Sequence, residues 1–179
     1  MLTPEDVAAV TAQINREARG VIDVAHRCNC GAPDVLKTAP RLPDGTPFPT
    51  MYYLTCPRAA GYIGTLEANG VMKQFEDELA SDPELAAQYQ KAHEEYLKTR
   101  EAIEHVEEIA GITAGGMPNR VKCLHVLVAH ALAEGPGVNP LGDRALALLK
   151  DWAEPGPCWR VGDTEQVGDT EQLGNEESK

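Results

Sequence analysis

The stretch VIDVAHRCNCGAP, residues 21–33, decides the fold. Its first five residues are mostly β-branched or apolar and predict a short strand. The strand runs into His26-Arg27-Cys28-Asn29-Cys30-Gly31, where Gly31 and Pro33 force a turn. Two thiols one residue apart are therefore delivered together at a strand end.

Reading outward, residues 35–38 and 50–55 predict two further strands. Between them Asp44-Gly45 is a hairpin signal, and the flanking prolines confine the strands to edges or ends. The second of these strands delivers Cys56, followed at once by Pro57. On the N-terminal side, Thr3 can cap a helix over residues 4–16, with Pro4 at its first position and Asp6 three residues on.

From Arg58 onward the pattern is helical. Helices are expected over 59–68, 71–80, 83–109, 118–134 and 141–152, separated by Asn69-Gly70, Ser81-Asp82, a glycine-rich loop at 111–118 and the turn GPGVNP. Leu85, Tyr89, Ala92, Tyr96, Ile103 and Val106 recur at the spacing of one amphipathic face. The fold class is α+β: a small N-terminal antiparallel β region packed on a mainly helical C-terminal half. Residues 1–158 are expected to form a single globular domain. Beyond it, VGDTEQ occurs at 161–166 and again at 167–172, an acidic repeat without aromatics that is expected to be disordered over 159–179.

Charge narrows the function. The net charge of −12, of which residues 161–179 contribute −5, disfavours non-specific contact with nucleic acid or anionic membranes. No run of about 18 apolar residues predicts a membrane span. The N-terminus MLTPEDVAAV puts acids where a secretory signal would carry bases, so a cytoplasmic location is expected. In a reducing compartment the five cysteines are candidates for metal ligation, thiol chemistry or burial.

Three groups carry the candidate chemistry. Cys28 and Cys30 share a turn, although zinc knuckles commonly leave two to four residues between ligands. Cys56 stands at a strand end that comes near them if the strands pair. Cys123 sits in KCLHVLVAH with His125 and His130; on a helix from 118, Cys123 and His130 share a face two turns apart. The ligand set is therefore Cys28, Cys30, Cys56 and Cys123, or three of these with His130, around zinc, with an iron–sulfur cluster as the less favoured occupant. Cys158 is a substitute ligand or a neighbouring thiol, less rigidly held beside the tail. Gly115-Gly116 leading to Arg120 and Lys122 is a candidate anion site at a helix start.

Two rivals remain open. One is an enzyme with Cys123 as thiolate, His125 or His130 as base, and residues 116–122 holding an anionic substrate. The other is an adaptor whose long charged helix binds a partner protein. A nucleophile elbow, a dinucleotide fingerprint and a two-histidine metalloprotease helix are all missing from the sequence.

The blocks CNCGAP, PRLPDGTPFPTMYYLTCP, DPELAAQYQKAH, AGGMPNRVKCLH and GPGVNPLGD resemble an actinobacterial family of unknown function, the uncharacterised family numbered 501, over roughly residues 18–158. The resemblance implies no established activity. It implies a gene neighbourhood containing enolase, a septum-formation initiator and an exopolyphosphatase, and with it an expected link to cell division or phosphate metabolism.

Overall fold

The computed structural model describes residues 2–150, 152–154 and 156–159. The acidic repeat lies outside them. Three antiparallel strands, β1 (Val21–Arg27), β2 (Pro33–Thr38) and β3 (Tyr52–Leu54), form one sheet in the order β1-β2-β3. Six α-helices accompany it among the described residues: α1 (Pro4–Ile14), α2 (Pro57–Ala68), α3 (Val71–Ser81), α4 (Pro83–Glu101), α5 (Leu124–Glu134) and α6 (Pro140–Leu148). The α+β class and its division into an N-terminal sheet and a helical C-terminal half stand as expected.

The β1–β2 turn is built by the cysteine stretch itself. Cys28 N–H donates to Ala32 O at 2.9 Å and Gly31 N–H to Cys28 O at 2.8 Å. Gly31 takes φ 86°, a left-handed conformation that side chains rarely adopt. In the register of β2 with β3, Val35 faces Leu54 and Lys37 faces Tyr52. As the central strand, β2 is buried almost throughout, its Val35 and Leu36 fully so.

Helix starts were the most legible features. Thr3 and Asp6 form a reciprocal capping box on α1, and Asp82 accepts from both Glu84 and Leu85 at the start of α4. α5 is buried at Leu124, Leu127, Val128, Ala129, His130 and Ala131, so it is the central helix, lying against β3 on one side and α6 on the other. Gly142 lets α6 approach so closely that a Cβ there would stand 2.2 Å from Leu127 O.

Two helix boundaries need correction. α4 stops at Glu101 instead of running to 109. Arg100 is 1% exposed, and its guanidinium donates to Ile109 O at 2.7 Å and Ile112 O at 2.5 Å. A buried cation must find acceptors, and the chain doubles back to supply those carbonyls. α5 starts at Leu124 instead of 118, after a turn in which Arg120 N–H bonds Gly116 O and Lys122 N–H bonds Gly115 O. Cys123 is thus a helix cap residue with extended backbone, and the shared helical face expected for Cys123 and His130 does not exist.

The apolar face of α4 points inward. Leu85, Tyr89, Ala92 and Tyr96 are buried, and Ile103 packs partly buried on the same core. The exposed stripe that an adaptor helix needs is absent from these positions. No helix among the described residues is long and apolar enough to cross a membrane.

Candidate metal centre

Four cysteines come near one another from three places in the chain. Cys28 and Cys30 lie in the β1–β2 turn, Cys56 caps α2, and Cys158 arrives on the segment after α6. The sulfurs of Cys28, Cys30 and Cys158 all lie within 4.8 Å of one another, with Cys30 and Cys158 3.5 Å apart. Cys56 lies outside that group and neighbours Cys158, each shifting the other's ionisation. Cys56 is wholly buried, Cys28 and Cys158 are buried, and Cys30 is half-buried.

Local structure explains the convergence. Pro57 occupies the first position of α2, so Cys56 becomes the cap and its Sγ accepts the Ala59 N–H at 3.5 Å. Helix caps are usually oxygen-bearing side chains, and a sulfur there is drawn toward thiolate by the amides at the helix start. Arg58 then holds the last segment over this end of α2, donating to the carbonyls of Trp152, Gly156 and Pro157 at 3.3, 3.1 and 3.0 Å. Gln13 of α1 donates to Pro33 O at 2.8 Å and to Cys158 Sγ at 3.7 Å, fixing the fourth thiol from the opposite side.

Ionisation is distributed unevenly over the cluster. The Cys158 thiol's hydrogen bond, with backbone N–H groups of Ala59 and Arg58, brings Cys56 below its ordinary value despite burial. Burial first, and then the neighbouring thiols, push Cys28 up to about 11. Cys158 is raised as well, by its bond to Cys56 and by burial. A bound cation would reverse this by stabilising every thiolate at once.

The residues fit a tetrahedral ion. Zn–S bonds of about 2.3 Å imply a sulfur–sulfur edge of about 3.8 Å, close to the Cys30–Cys158 separation. Sulfur donors alone, buried and fed by N–H groups, form a set suited to a borderline-soft metal.

Two members of the sequence-derived ligand set are not brought to these thiols. Cys123 is not among these thiols: it groups with Glu67 and His125. Glu67 lies in the last turn of α2 and Cys56 caps the first, so about 16 Å of helix axis separates them at 1.5 Å per residue. His130 is also elsewhere. Its Nε2 meets Glu95 Oε2 at 2.7 Å, and its Nδ1 meets Asn139 Nδ2 at 3.1 Å. Asn139 Oδ1 already accepts from Gly142 N–H, so the amide NH2 is the donor to Nδ1, and Nε2 donates to Glu95. Stacked on Tyr52 and edge-on to Tyr96, the imidazole is a core residue with both nitrogens used.

Arg120 and Lys122 are exposed. Arg120 Nε lies 3.5 Å from Glu76 Oε1, which also accepts the Val121 N–H, while Leu124 N–H donates to Glu67 Oε1 at 2.7 Å. The amides of this stretch therefore already serve acceptors of the chain itself.

A family model described as "Protein of unknown function (DUF501)" matches residues 24–147, and the chain belongs to that family. Cys28, Cys30 and Cys56 fall within the matched region, as do Glu67, Cys123 and His125; Cys158 lies beyond it. No curated protein and no solved structure matches the chain.

Proposed function

We propose that this chain is a metal-binding protein in which Cys28, Cys30, Cys56 and Cys158 hold one zinc ion. The observation that carries this reading is the approach of the Cys28, Cys30 and Cys158 sulfurs to within 4.8 Å of one another, with Cys56 beside Cys158. All five cysteines are free. A reducing, cytoplasmic-type compartment would keep the thiols available as ligands.

Zinc is favoured over an iron–sulfur cluster by three sulfurs all within 4.8 Å of one another. Three thiols can share the edges of one zinc tetrahedron, whereas an iron of a four-cysteine cluster takes at most two, and thiols on different irons are spread wider. The ion would be closed off by four protein ligands, as structural zinc sites are. It would tie the β1–β2 turn and the start of α2 to the segment after α6, and so contribute to folding stability.

Elemental mass spectrometry on protein purified without a metal-binding tag tests this. One zinc equivalent should be lost in Cys28→Ser and in Cys56→Ser. A wild-type chain in which Cys28 and Cys158 react freely with a thiol reagent, and whose metal content neither substitution changes, would refute it.

A further inference from the structure

The other end of α2 carries a second constellation. Cys123 Sγ lies 3.8 Å from His125 Nδ1, and His125 Nδ1 lies 3.3 Å from Glu67 Oε1. The three donor atoms all fall within 4.8 Å of one another. We propose that Glu67, Cys123 and His125 form a second metal site, binding a divalent transition-metal ion such as zinc through three protein donors and leaving a fourth position to solvent.

The separations are those of a coordination polyhedron. With Zn–S near 2.3 Å and Zn–N and Zn–O near 2.0 Å, tetrahedral edges come to about 3.6 Å for the sulfur–nitrogen pair and about 3.3 Å for the nitrogen–oxygen pair. The donors are also held in place before an ion arrives. Leu124 N–H fixes Glu67 Oε1 at 2.7 Å, and the cap position of Cys123 places its side chain at the start of α5.

The same atoms argue against a catalytic thiol with a histidine base. In such a relay the imidazole uses one nitrogen for the nucleophile and the other for the orienting carboxylate. Here a single nitrogen, Nδ1, faces both Cys123 Sγ and Glu67 Oε1. One nitrogen aimed between a sulfur and a carboxylate oxygen describes ligands around a common point.

The site differs from the thiol cluster in access. The Glu67 and His125 side chains are 23% and 33% exposed, so the donors line the edge of the molecule instead of its interior. Three protein donors plus a solvent position is the pattern of zinc sites that act as Lewis acids, where the ion lowers the pKa of bound water to about 7. The chemistry available at this end of α2 is therefore activation of water or polarisation of a small substrate that reaches the open position.

Metal counting on the full chain separates the two sites. Two ions per wild-type chain are expected, with Cys123→Ser and His125→Ala each losing one while the thiol-cluster ion stays. Glu67→Gln preserves an acceptor for Leu124 N–H, so it protects the fold while weakening zinc affinity at least tenfold in competition with a chromogenic chelator. Zinc should also slow alkylation of Cys123, read by site-resolved mass spectrometry. A metal content indifferent to Cys123→Ser and Glu67→Gln, or Cys123 alkylation indifferent to zinc, overturns the proposal. Failure of the four-thiol site would appear differently, as one ion lost with Cys123→Ser and unaffected by Cys56→Ser.

Discussion

The two ends of α2 make a natural pair. At the start, Cys56 neighbours Cys158 of a mostly buried group of three thiols, drawn from the β1–β2 turn and the segment after α6. At the finish, Glu67 meets one thiol and one imidazole in a partly exposed group supplied by two segments. The first set is uniform and enclosed; the second is mixed and open. Enclosure by four protein ligands suits an ion that holds a fold together, whereas an incomplete shell suits an ion that exchanges water. On the proposed assignment, one helix spans from a stabilising end to a reactive one.

The largest effect should come from emptying the thiol cluster. Cys56→Ser, or a strong chelator on the wild type, is expected to cost at least about 3 kcal/mol, which at roughly 2–4 °C per kcal/mol lowers Tm by on the order of 10 °C. Cys123→Ser should lower it by less than about 2 °C, an exposed-site effect of about 0.5 kcal/mol. Equal losses in a thermal melt would break the contrast between the ends.

Next comes Gly142→Ala, whose Cβ would collide with Leu127 O and Ala131 Cβ. Forcing α6 away from α5 should cost about 1–3 kcal/mol in denaturant unfolding. Because Cys158 follows α6, zinc affinity should fall at the Cys56 end. Cys123 at the start of α5 lies away from the Leu127 and Ala131 contacts, so the Glu67 end should hold. His130→Ala should cost a similar or slightly smaller amount, about 1–3 kcal/mol, by stranding Glu95 and Asn139. It should leave metal content unchanged, and a loss of either ion would return His130 to the ligand set.

A smaller effect concerns Asp6, whose carboxylate accepts from both terminal guanidinium nitrogens of Arg27 at 2.7 and 2.8 Å and completes the α1 capping box. The Arg27 hydrogen bonds hold its carboxyl well below the usual carboxylate range. A depressed folded-state pKa stabilises above the unfolded value of about 3.9 and is lost as pH falls toward the folded one. Asp6→Ala should therefore cost about 1 kcal/mol at neutral pH, with its difference from wild type shrinking below about pH 4.

Local signals carried much of the fold. The capping residues Thr3 and Asp82, the Asp44-Gly45 hairpin and the apolar spacing of α4 each act within a few residues, so the sequence shows them directly. The ends of α4 and α5 were misread because their causes are tertiary: a buried Arg100 recruiting carbonyls from the next segment, and glycine carbonyls capturing the amides of Arg120 and Lys122. Of the proposed ligands, Cys28, Cys30 and Cys56 stand at strand ends in the sequence itself. Cys158 gives no such sign, since nothing local reveals that Arg58 holds its segment and Gln13 its sulfur. Glu67 carried no signal beyond its position in the last turn of a helix.

The Cys30–Cys158 approach spans 128 positions of sequence. On the ribosome the turn thiols emerge first, and Cys56 soon after. At about 5–20 residues per second, Cys158 follows on the order of ten seconds later. A nascent chain therefore passes through a long interval with an incomplete thiol set. Only a chain translated through Cys158 can bring all these sulfurs together.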